Sequence, residues 1–347
     1  KPGEEPNIEG YANQLAEIAS AACGNIAHSA DATIAMAETR IPMRYRVPDM
    51  QRLEWAQRIV AAMGDRLPKT QPEIYAREQV MLHERQSTDV VVQALRIGDM
   101  VIATTPCETY ALTGLKLKAG SPLPKAMVIE LANGGDGYIP PPEQHVLGGY
   151  NTWNARSAGL ETNAEPRIVE AALGLMEKVS AKPRREPAPP STLLSEATLR
   201  AKPAAYWSLD EMSGPRAVDR SGHGNDGYFE PGVVFHLEGA PISEKRAGAN
   251  RAAHFAGGRM ESRVESLNGA DYSVAMWIYN GMPAGSRPMA GWCLSRGHDR
   301  GARGDHLGLG GSTHPGRLVF QAGESEPVAG KSAIGRWEWH QVTMVRK

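Results

Sequence analysis

The chain has 347 residues, enough for two domains of ordinary size, each able to bury its own hydrophobic core. Its 38 Lys and Arg residues balance 39 Asp and Glu residues, which argues against a broad phosphate-binding surface and a nucleic-acid partner. No stretch reaches the roughly 18 apolar residues of a membrane span. The three cysteines are too widely spaced for a disulfide framework or a cysteine-based zinc site. The ends at Lys1 and Lys347 predict an internal piece of a longer protein.

Helical and extended patterns alternate over residues 1–180, which predicts an α/β domain. Asp49 suits the N-cap of a helix that Gly64 ends, and Pro72 and Pro166 suit the first turns of two more. Further helices are predicted over 9–22 and 109–119. The residues expected on the apolar faces are Leu15, Ile18, Ala19 and Ala22; Leu53, Ala56, Ile59, Val60 and Met63; Ile74, Val80 and Met81; and Ile168, Val169, Ala172, Leu173, Met176 and Val179.

Extended segments are predicted over 33–45, 89–97 and 100–104. The dipeptide Gly98-Asp99 fits a tight hairpin turn between the last two, because glycine suits its first central position.

Two of the predicted strands are followed by loops rich in polar groups. Met100 to Ala103 and Ala126 to Leu131 are short and strongly apolar, which is typical of buried strands. If they lie in one sheet and run in the same direction, the loops after them meet at one edge, where ligands and metals are commonly held. Glu108 and Tyr138 would then lie within reach of a common point.

The chain changes character after residue 180. Residues 181–203 are rich in proline, which predicts a semi-rigid linker. Residues 204–347 alternate short apolar or aromatic runs with clusters of Gly, Asn, Asp and Ser, which indicates an all-β sandwich. The expected strands include the runs 206–209, 252–255, 272–279, 306–309, 317–321 and 339–345.

This second part resembles a LamG-like jelly roll of the concanavalin A-like group. The motifs that carry the resemblance are Tyr206-Trp207-Ser208-Leu209-Asp210-Glu211, Asp219-Arg220-Ser221-Gly222-His223-Gly224-Asn225-Asp226-Gly227, Ala253-His254-Phe255-Ala256-Gly257-Gly258, Tyr272-Ser273-Val274-Ala275-Met276-Trp277-Ile278 and Gly335-Arg336-Trp337-Glu338-Trp339-His340-Gln341-Val342. In that family more strands follow the last motif, so the jelly roll is expected to be truncated here. The resemblance implies a sugar or partner protein as ligand, and Ca²⁺ in some members.

Two features of the jelly-roll part allow a simpler interpretation. Asp219, Asn225 and Asp226 could hold calcium, but side chains of this kind also shape turns, and we favour turns. Trp207, Trp277 and Trp337 are expected to be core aromatics rather than platforms for sugar rings.

The first part resembles the neutral/alkaline (non-lysosomal) ceramidase family over about residues 9–180, the C-terminal part of that family's catalytic domain. The family has a Pro-Gly-Glu-x-Thr segment whose Glu binds zinc, and this chain has Pro106-Cys107-Glu108-Thr109. The family also has a Gly-Tyr whose phenol binds zinc and a second Tyr twelve residues later, matched by Gly137-Tyr138 and Tyr150. The resemblance implies Glu108 and Tyr138 as Zn²⁺ ligands and Tyr150 as a catalytic hydrogen-bonding group beside the scissile amide.

The match to that family has departures. Cys107 replaces a glycine, and residues 141–151 differ from the family's usual Glu-Tyr-x-x-Gln-x-Tyr-Glu stretch. These changes bear on the identity of the substrate more than on the metal. The family's two His ligands and its Ser segment would lie upstream of Lys1.

Each candidate residue also has an ordinary structural interpretation. Glu108 could cap or begin the helix that follows, where the helix dipole favours a carboxylate, and Tyr138 could be a loop aromatic. His145 is expected to be a solvated loop residue, with ligand or proton shuttle as the alternative. We expect His83 to be structural and Cys107 to serve packing. Arg156 has two open interpretations, binding of an anion and pairing with Glu161, and is left unassigned.

Two functions from different classes fit the sequence. The first is a secreted, periplasmic or cell-surface zinc amidohydrolase that resembles neutral ceramidases and cleaves the N-acyl bond of ceramide or a related lipid amide. Its LamG-like module would bind a glycan or a protein. The second is a non-catalytic surface adhesion or carbohydrate-binding protein with a degenerate hydrolase half. The fragment alone is expected to be inactive, because half of the zinc ligands would be missing.

Overall fold

The computed structural model describes residues 7–28, 32–186, 192–241, 250–267, 271–283, 285, 287–297 and 304–347. The chain divides into two compact units, Lys1–Pro187 and Ala188–Lys347. Among the described residues, none of the helices is long and apolar enough to cross a membrane.

The strands of the first unit are β1 (Ile34–Arg44), β2 (Ser87–Ile97), β3 (Met100–Thr104), β4 (Glu108–Thr109), β5 (Lys125–Ile129) and β6 (Tyr138–Ile139). Four of them form a mixed sheet with the order β1-β2-β3-β5. The hairpin turn at Gly98, where φ is +61°, joins β2 to β3 as the sequence predicts. The strands β3 and β5 run parallel, and the helix Ala111–Gly120 connects them.

The helices of the first unit largely follow the sequence signals. Asp49 caps α2, since its side chain accepts a hydrogen bond from the amide of Arg52, and Pro72 lies in the first turn of α3. The helices are α1 (Ile8–Gly24), α2 (Met50–Met63), α3 (Gln71–Arg85), α4 (Ala111–Gly120), α5 (Pro142–Leu147) and α6 (Ala164–Ser180).

The hydrophobic core of the first unit lies between the sheet and α6. Ile168, Ala172 and Met176 of α6 are fully buried, as the apolar pattern predicts. They join Val90, Val92, Val101 and Ala103 of the sheet in one cluster. The stripe of α6 therefore covers one face of the sheet and supports the strand ends from which the candidate site emerges.

Two helices do not bury the apolar residues that the sequence pattern groups together. The apolar residues of α1 are all exposed. In α3, Ile74 is exposed, and the buried face carries Glu78 and Gln79 beside Ala76 and Leu82. A buried carboxylate and a buried amide need partners elsewhere in the fold, which the pattern of apolar residues cannot indicate.

The second unit is built of antiparallel sheets. The strands are β7 (Arg216–Ala217), β8 (Gly227–Phe229), β9 (Val233–Glu238), β10 (Arg251–Phe255), β11 (Met260–Ser262), β12 (Tyr272–Tyr279), β13 (Met289–Arg296), β14 (Asp305–Gly310), β15 (Arg317–Ala322), β16 (Val328–Ala333) and β17 (Trp339–Arg346). The strand orders are β10-β9, β11-β8-β7, β12-β17 and β13-β14-β15-β16. An α/β region followed by a β-sandwich is the fold class that the sequence predicts.

Three expectations for the second half of the chain need correction. The run 206–209 forms only an isolated bridge, between Trp207 and Asp219. Within the predicted linker, residues 192–203 contain a helix, α7 (Leu193–Arg200), which Thr192 caps, while Pro187, Pro189 and Pro190 lie outside the described residues. Trp277 and Trp337 are 41% and 64% exposed, so only Trp207 packs against a core cluster.

Candidate active site

The two polar loops meet at one edge of the sheet, where the parallel strands β3 and β5 end. Backbone hydrogen bonds between the two chain segments continue beyond the ends of β3 and β5. The amide of Thr105 donates to the carbonyl of Ile129 at 3.0 Å. The amide of Ala132 then donates to the carbonyl of Thr105 at 2.9 Å. The predicted common edge is therefore present.

Glu108 and Tyr138 lie opposite each other on the short parallel strands β4 and β6. The amide of Glu108 donates to the carbonyl of Gly137 at 3.0 Å, which fixes the register. The pKa of Tyr138 is raised, first by the hydrogen bond that its phenol donates to Glu108 and then by the negative charge of that carboxylate. The two side-chain oxygen groups therefore share one point at the edge of the sheet.

Buried backbone holds these loops in place. Cys107 is fully buried in the core cluster, as predicted, and burial raises the pKa of its thiol to about 12. Its carbonyl accepts the amide of Leu131 at 3.3 Å. A Cβ at Gly134 would lie 2.8 Å from that of Pro106, so the loops approach closely here. Cys107 is therefore a packing residue next to Glu108.

Glu108 is not a cap of the following helix. The helix α4 begins at Ala111 with Tyr110 as its N-cap, and its first turn contains no acidic residue. This excludes the simpler interpretation of Glu108 and leaves its partly buried carboxylate facing Tyr138.

Tyr150 stands beside this pair at the start of a short 3₁₀ turn, Tyr150–Thr152. Its ring centre lies 5.6 Å from that of Tyr138 in an edge-to-face arrangement. The row of aromatic rings continues through Trp153, at 5.8 Å, to Tyr75 of α3, at 5.7 Å from Trp153. Tyr150 is 60% exposed, so a substrate can reach it from solvent.

His145 lies in α5 between the two tyrosines in sequence. The expectation of a solvated loop residue was wrong, because its ring is half-buried and its Nδ1 has no hydrogen-bond partner among the described residues. Burial, and secondly the charge of Arg46, lower the pKa of His145 to about 4. The imidazole is neutral at pH 7.

Arg156 pairs with Glu78 rather than with Glu161. Its Nε and Nη2 donate to the two oxygens of the Glu78 carboxylate at 2.8 and 2.7 Å. Burial alone would raise the pKa of Glu78, but the hydrogen bonds from Arg156 outweigh it and hold this pKa below its ordinary value. Arg167 takes the place predicted for Arg156 beside Glu161.

Sequence reasoning missed four residues that shape this site. Tyr75 and Trp153 extend the aromatic row, and Glu78 and Gln79 bind the segment that carries Tyr150. Helical spacing was the available signal, since Tyr75, Glu78 and Gln79 are three and four residues apart and share one face of α3.

The described residues contain no group of three or more His, Cys, Asp or Glu side chains that could hold a metal ion. Glu108 and Tyr138 nevertheless fit zinc as part of a larger set, because carboxylate oxygens bind zinc and the hydrogen bond between the two side chains brings their oxygens together.

Comparison with known proteins gives little further guidance. No protein-family model matches the chain, and no curated protein matches it significantly. Among solved structures, the neutral ceramidase from Pseudomonas aeruginosa is similar, with 15% identity and a TM-score of 0.31. The match covers 56% of this chain and 37% of that one, so the chain spans well under half of the ceramidase.

Proposed function

We propose that this chain is part of a zinc-dependent amidohydrolase that resembles neutral ceramidases and cleaves the N-acyl bond of ceramide or a related N-acyl amide. One observation carries the proposal. Glu108 and Tyr138 lie opposite each other on paired parallel strands at one edge of the sheet, with the ring of Tyr150 against that of Tyr138.

In this proposal Glu108 and Tyr138 hold Zn²⁺ together with two His residues from outside the chain described here. When bound, zinc supplies Lewis acidity toward a carbonyl oxygen and lowers the pKa of water. The negative charge of the Glu108 carboxylate favours a cation at this point.

Tyr150 has a separate role. Its ring lies against that of Tyr138 and is exposed to solvent, and its hydroxyl would donate a hydrogen bond to the oxygen of the scissile amide as negative charge develops there. One such donor contributes about 2.7–4 kcal/mol to stabilisation of the transition state.

The second unit is proposed to be a LamG-like module that binds a glycan or a protein. The exposed rings of Trp277 and Trp337 support this role, because exposed aromatic side chains are common at binding surfaces. A secreted, periplasmic or cell-surface location goes with this proposal. The same exposed rings favour the alternative, an adhesion or carbohydrate-binding protein whose hydrolase half does not catalyse.

The test uses the full-length protein and measures zinc content and hydrolysis of an N-acyl sphingosine. Glu108→Ala should remove one zinc equivalent and abolish hydrolysis. The matched control is Glu130→Ala, which removes an exposed carboxylate just after β5 and should preserve both. Unchanged zinc content in Glu108→Ala would refute the ligand assignment, and zinc without hydrolysis in the unmodified protein would favour the adhesion protein.

A second variant separates metal binding from catalysis. Tyr150→Phe should keep zinc bound and lower kcat by roughly 10²–10³-fold, because the ring contacts remain while the hydroxyl is lost. An unchanged kcat would remove Tyr150 from the mechanism.

A further inference from the structure

We propose that Glu78 and Gln79 are positioning residues, which hold the segment of residues 149–160 so that Tyr150 stands against Tyr138. We call residues 149–160 the Tyr150 segment. This inference rests on the proposed function, because it assigns importance to the place of Tyr150. It adds to the site two buried polar residues of α3, Glu78 and Gln79, which we call the α3 platform.

The Tyr150 segment has little regular structure of its own. It contains two short 3₁₀ turns, Tyr150–Thr152 and Arg156–Ala158, and runs of this length do not hold a fixed place without outside contacts. The Tyr150 ring is mostly exposed and makes edge-to-face contacts with the rings of Tyr138 and Trp153. Its position therefore depends on where the segment is held.

Glu78 holds the middle of the segment through three hydrogen bonds. The backbone amide of Arg156 donates to Oε2 at 3.0 Å, and the guanidinium of Arg156 donates to both oxygens at 2.8 and 2.7 Å. Glu78 is buried, and a paired guanidinium–carboxylate contact of this kind has a narrow range of geometries. The pair therefore fixes both the backbone and the side chain at residue 156.

Gln79 holds the segment two residues earlier. Its Nε2 donates to the carbonyl of Asn154 at 2.6 Å, and Nδ2 of Asn154 donates to the carbonyl of Arg46 at 2.7 Å. The Arg46 guanidinium in turn donates to the carbonyls of Thr152 and Leu160 at 3.1 Å each. These bonds satisfy buried polar groups on both sides, so a shifted segment would leave them unpaired.

The opposite side of the segment rests on the strand that carries Tyr138. Gly137 has φ +78°, and a Cβ there would lie 2.3 Å from the carbonyl oxygen of Ser157. The segment is thus enclosed between α3 and the backbone next to Tyr138. Tyr75, one helical turn before Glu78, meets Trp153 at 5.7 Å and completes the same face of α3.

A contact needed only for packing would not require buried polar groups, since hydrophobic replacements of a buried ion pair often preserve stability. Here the polar groups bind backbone atoms of an irregular segment, which apolar side chains cannot do. The platform therefore selects one arrangement of the segment, the one that places Tyr150 beside Tyr138.

The test compares Glu78→Gln with the parent in the full-length, zinc-loaded protein. We expect zinc content and KM to change little and kcat to fall by on the order of 10- to 100-fold, because small misplacements of a catalytic group are costly. Arg156→Lys, which retains a cation, should recover part of the kcat that Arg156→Ala loses.

A second readout does not depend on activity. The protein is labelled with 3-fluorotyrosine, and Tyr150→Phe identifies the Tyr150 signal among the tyrosine signals by ¹⁹F NMR. Glu78→Gln and Gln79→Leu should each shift this signal, because Glu78→Gln weakens the pairing with Arg156 and Gln79→Leu removes the hydrogen bond to the carbonyl of Asn154. If one variant fails to fold, the other still decides the question.

The matched control is Glu73→Gln, which breaks another Glu–Arg pair on α3, with Arg66, away from the Tyr150 segment. It should leave both kcat and the Tyr150 signal unchanged. A folded Glu78→Gln with parental kcat and an unmoved Tyr150 signal would overturn the proposal. If Glu108→Ala instead leaves zinc unchanged, the proposed function fails, while the ¹⁹F comparison still tests the positioning.

Discussion

The first (α/β) unit and the second (β) unit each contain a buried carboxylate, and these two carboxylates bind groups at different distances along the chain. In the α/β unit, Glu78 binds Arg156, which is 78 residues away. In the β unit, Asp219 accepts hydrogen bonds from the amides of Tyr206, Ser221 and Asn225, at most 13 residues away. A long-range bond ties one element of the fold to another, whereas a local bond shapes a turn. Glu78 therefore ties α3 to a distant segment beside the candidate site, whereas Asp219 shapes a turn within the second unit.

The hydrophobic cores differ as well. The core of the α/β unit extends from the sheet through α6. In the described part of the β unit, the core cluster comprises Ala217, Phe229, Val233 and Phe235, with Trp207, Leu209, Ala253 and Met260 packed against it. Trp277, Trp292 and Trp337 of the β unit are exposed. A rigid core suits a site that must hold its groups in place, and exposed aromatic rings suit a surface that binds a ligand.

The largest expected effect on the free energy of unfolding is at Gly137, where two backbone segments of the α/β unit approach closely. Gly137→Ala should lower the free energy of unfolding by roughly 3–5 kcal/mol, because the new methyl group meets the Ser157 carbonyl and the residue is held at positive φ. Chemical denaturation measures this change.

Gly135→Ala is the matched control, two residues away in the same loop. A Cβ there meets no atom within 4 Å, so the free energy of unfolding should change by less than about 0.5 kcal/mol. Equal changes in the free energy of unfolding for the two variants would show that the backbone at Gly137 is not closely packed against Ser157.

Local sequence signals were sufficient for much of the α/β unit. The N-cap at Asp49, the hairpin glycine at Gly98 and the apolar stripe of α6 each depend on neighbours within a few residues. The meeting of Glu108 and Tyr138 followed from one further rule, that parallel strands end at the same edge of a sheet.

Features that depend on long-range contacts could not be predicted from local sequence signals. The burial of Glu78 and Gln79 depends on partners near residue 155, which no local pattern indicates. The same holds for Trp277 and Trp337, because aromatic residues in strand patterns can face either a core or solvent. The ceramidase resemblance supplied candidate roles for Glu108, Tyr138 and Tyr150, and these roles remain predictions.

A smaller effect is expected from the turn of the β unit. Burial alone would raise the pKa of Asp219, but its hydrogen bonds outweigh this and lower the pKa to about 2. Asp219→Asn should lower the free energy of unfolding by about 1–3 kcal/mol, because an amide nitrogen would face an N–H donor. Thermal unfolding with and without calcium measures the effect.

Unfolding measured with and without calcium distinguishes the two interpretations of Asp219, a calcium ligand and a residue that shapes a turn. Both of its oxygens already accept hydrogen bonds from the turn, including one from the Ser221 hydroxyl at 2.8 Å. We therefore expect millimolar calcium to leave the Tm of the parent unchanged. A rise in Tm with calcium that Asp219→Asn abolishes would make Asp219 a ligand rather than a turn residue.

The smallest expected effect tests the half-buried imidazole of the α/β unit. The pKa of His145 is lowered from 6.5 to about 4 in the folded state, so the unfolded chain takes up a proton first as the pH falls through this range. Stability should therefore decline between pH 6.5 and about 4, and His145→Asn should reduce that decline by on the order of 1 kcal/mol after allowance for solvent screening. Urea denaturation at several pH values measures the slope of the free energy of unfolding against pH.

The control is Val146→Asn, which introduces the same side chain at the exposed neighbouring residue and should keep the parental slope. Equal slopes in the parent and both variants would mean that the imidazole is solvated.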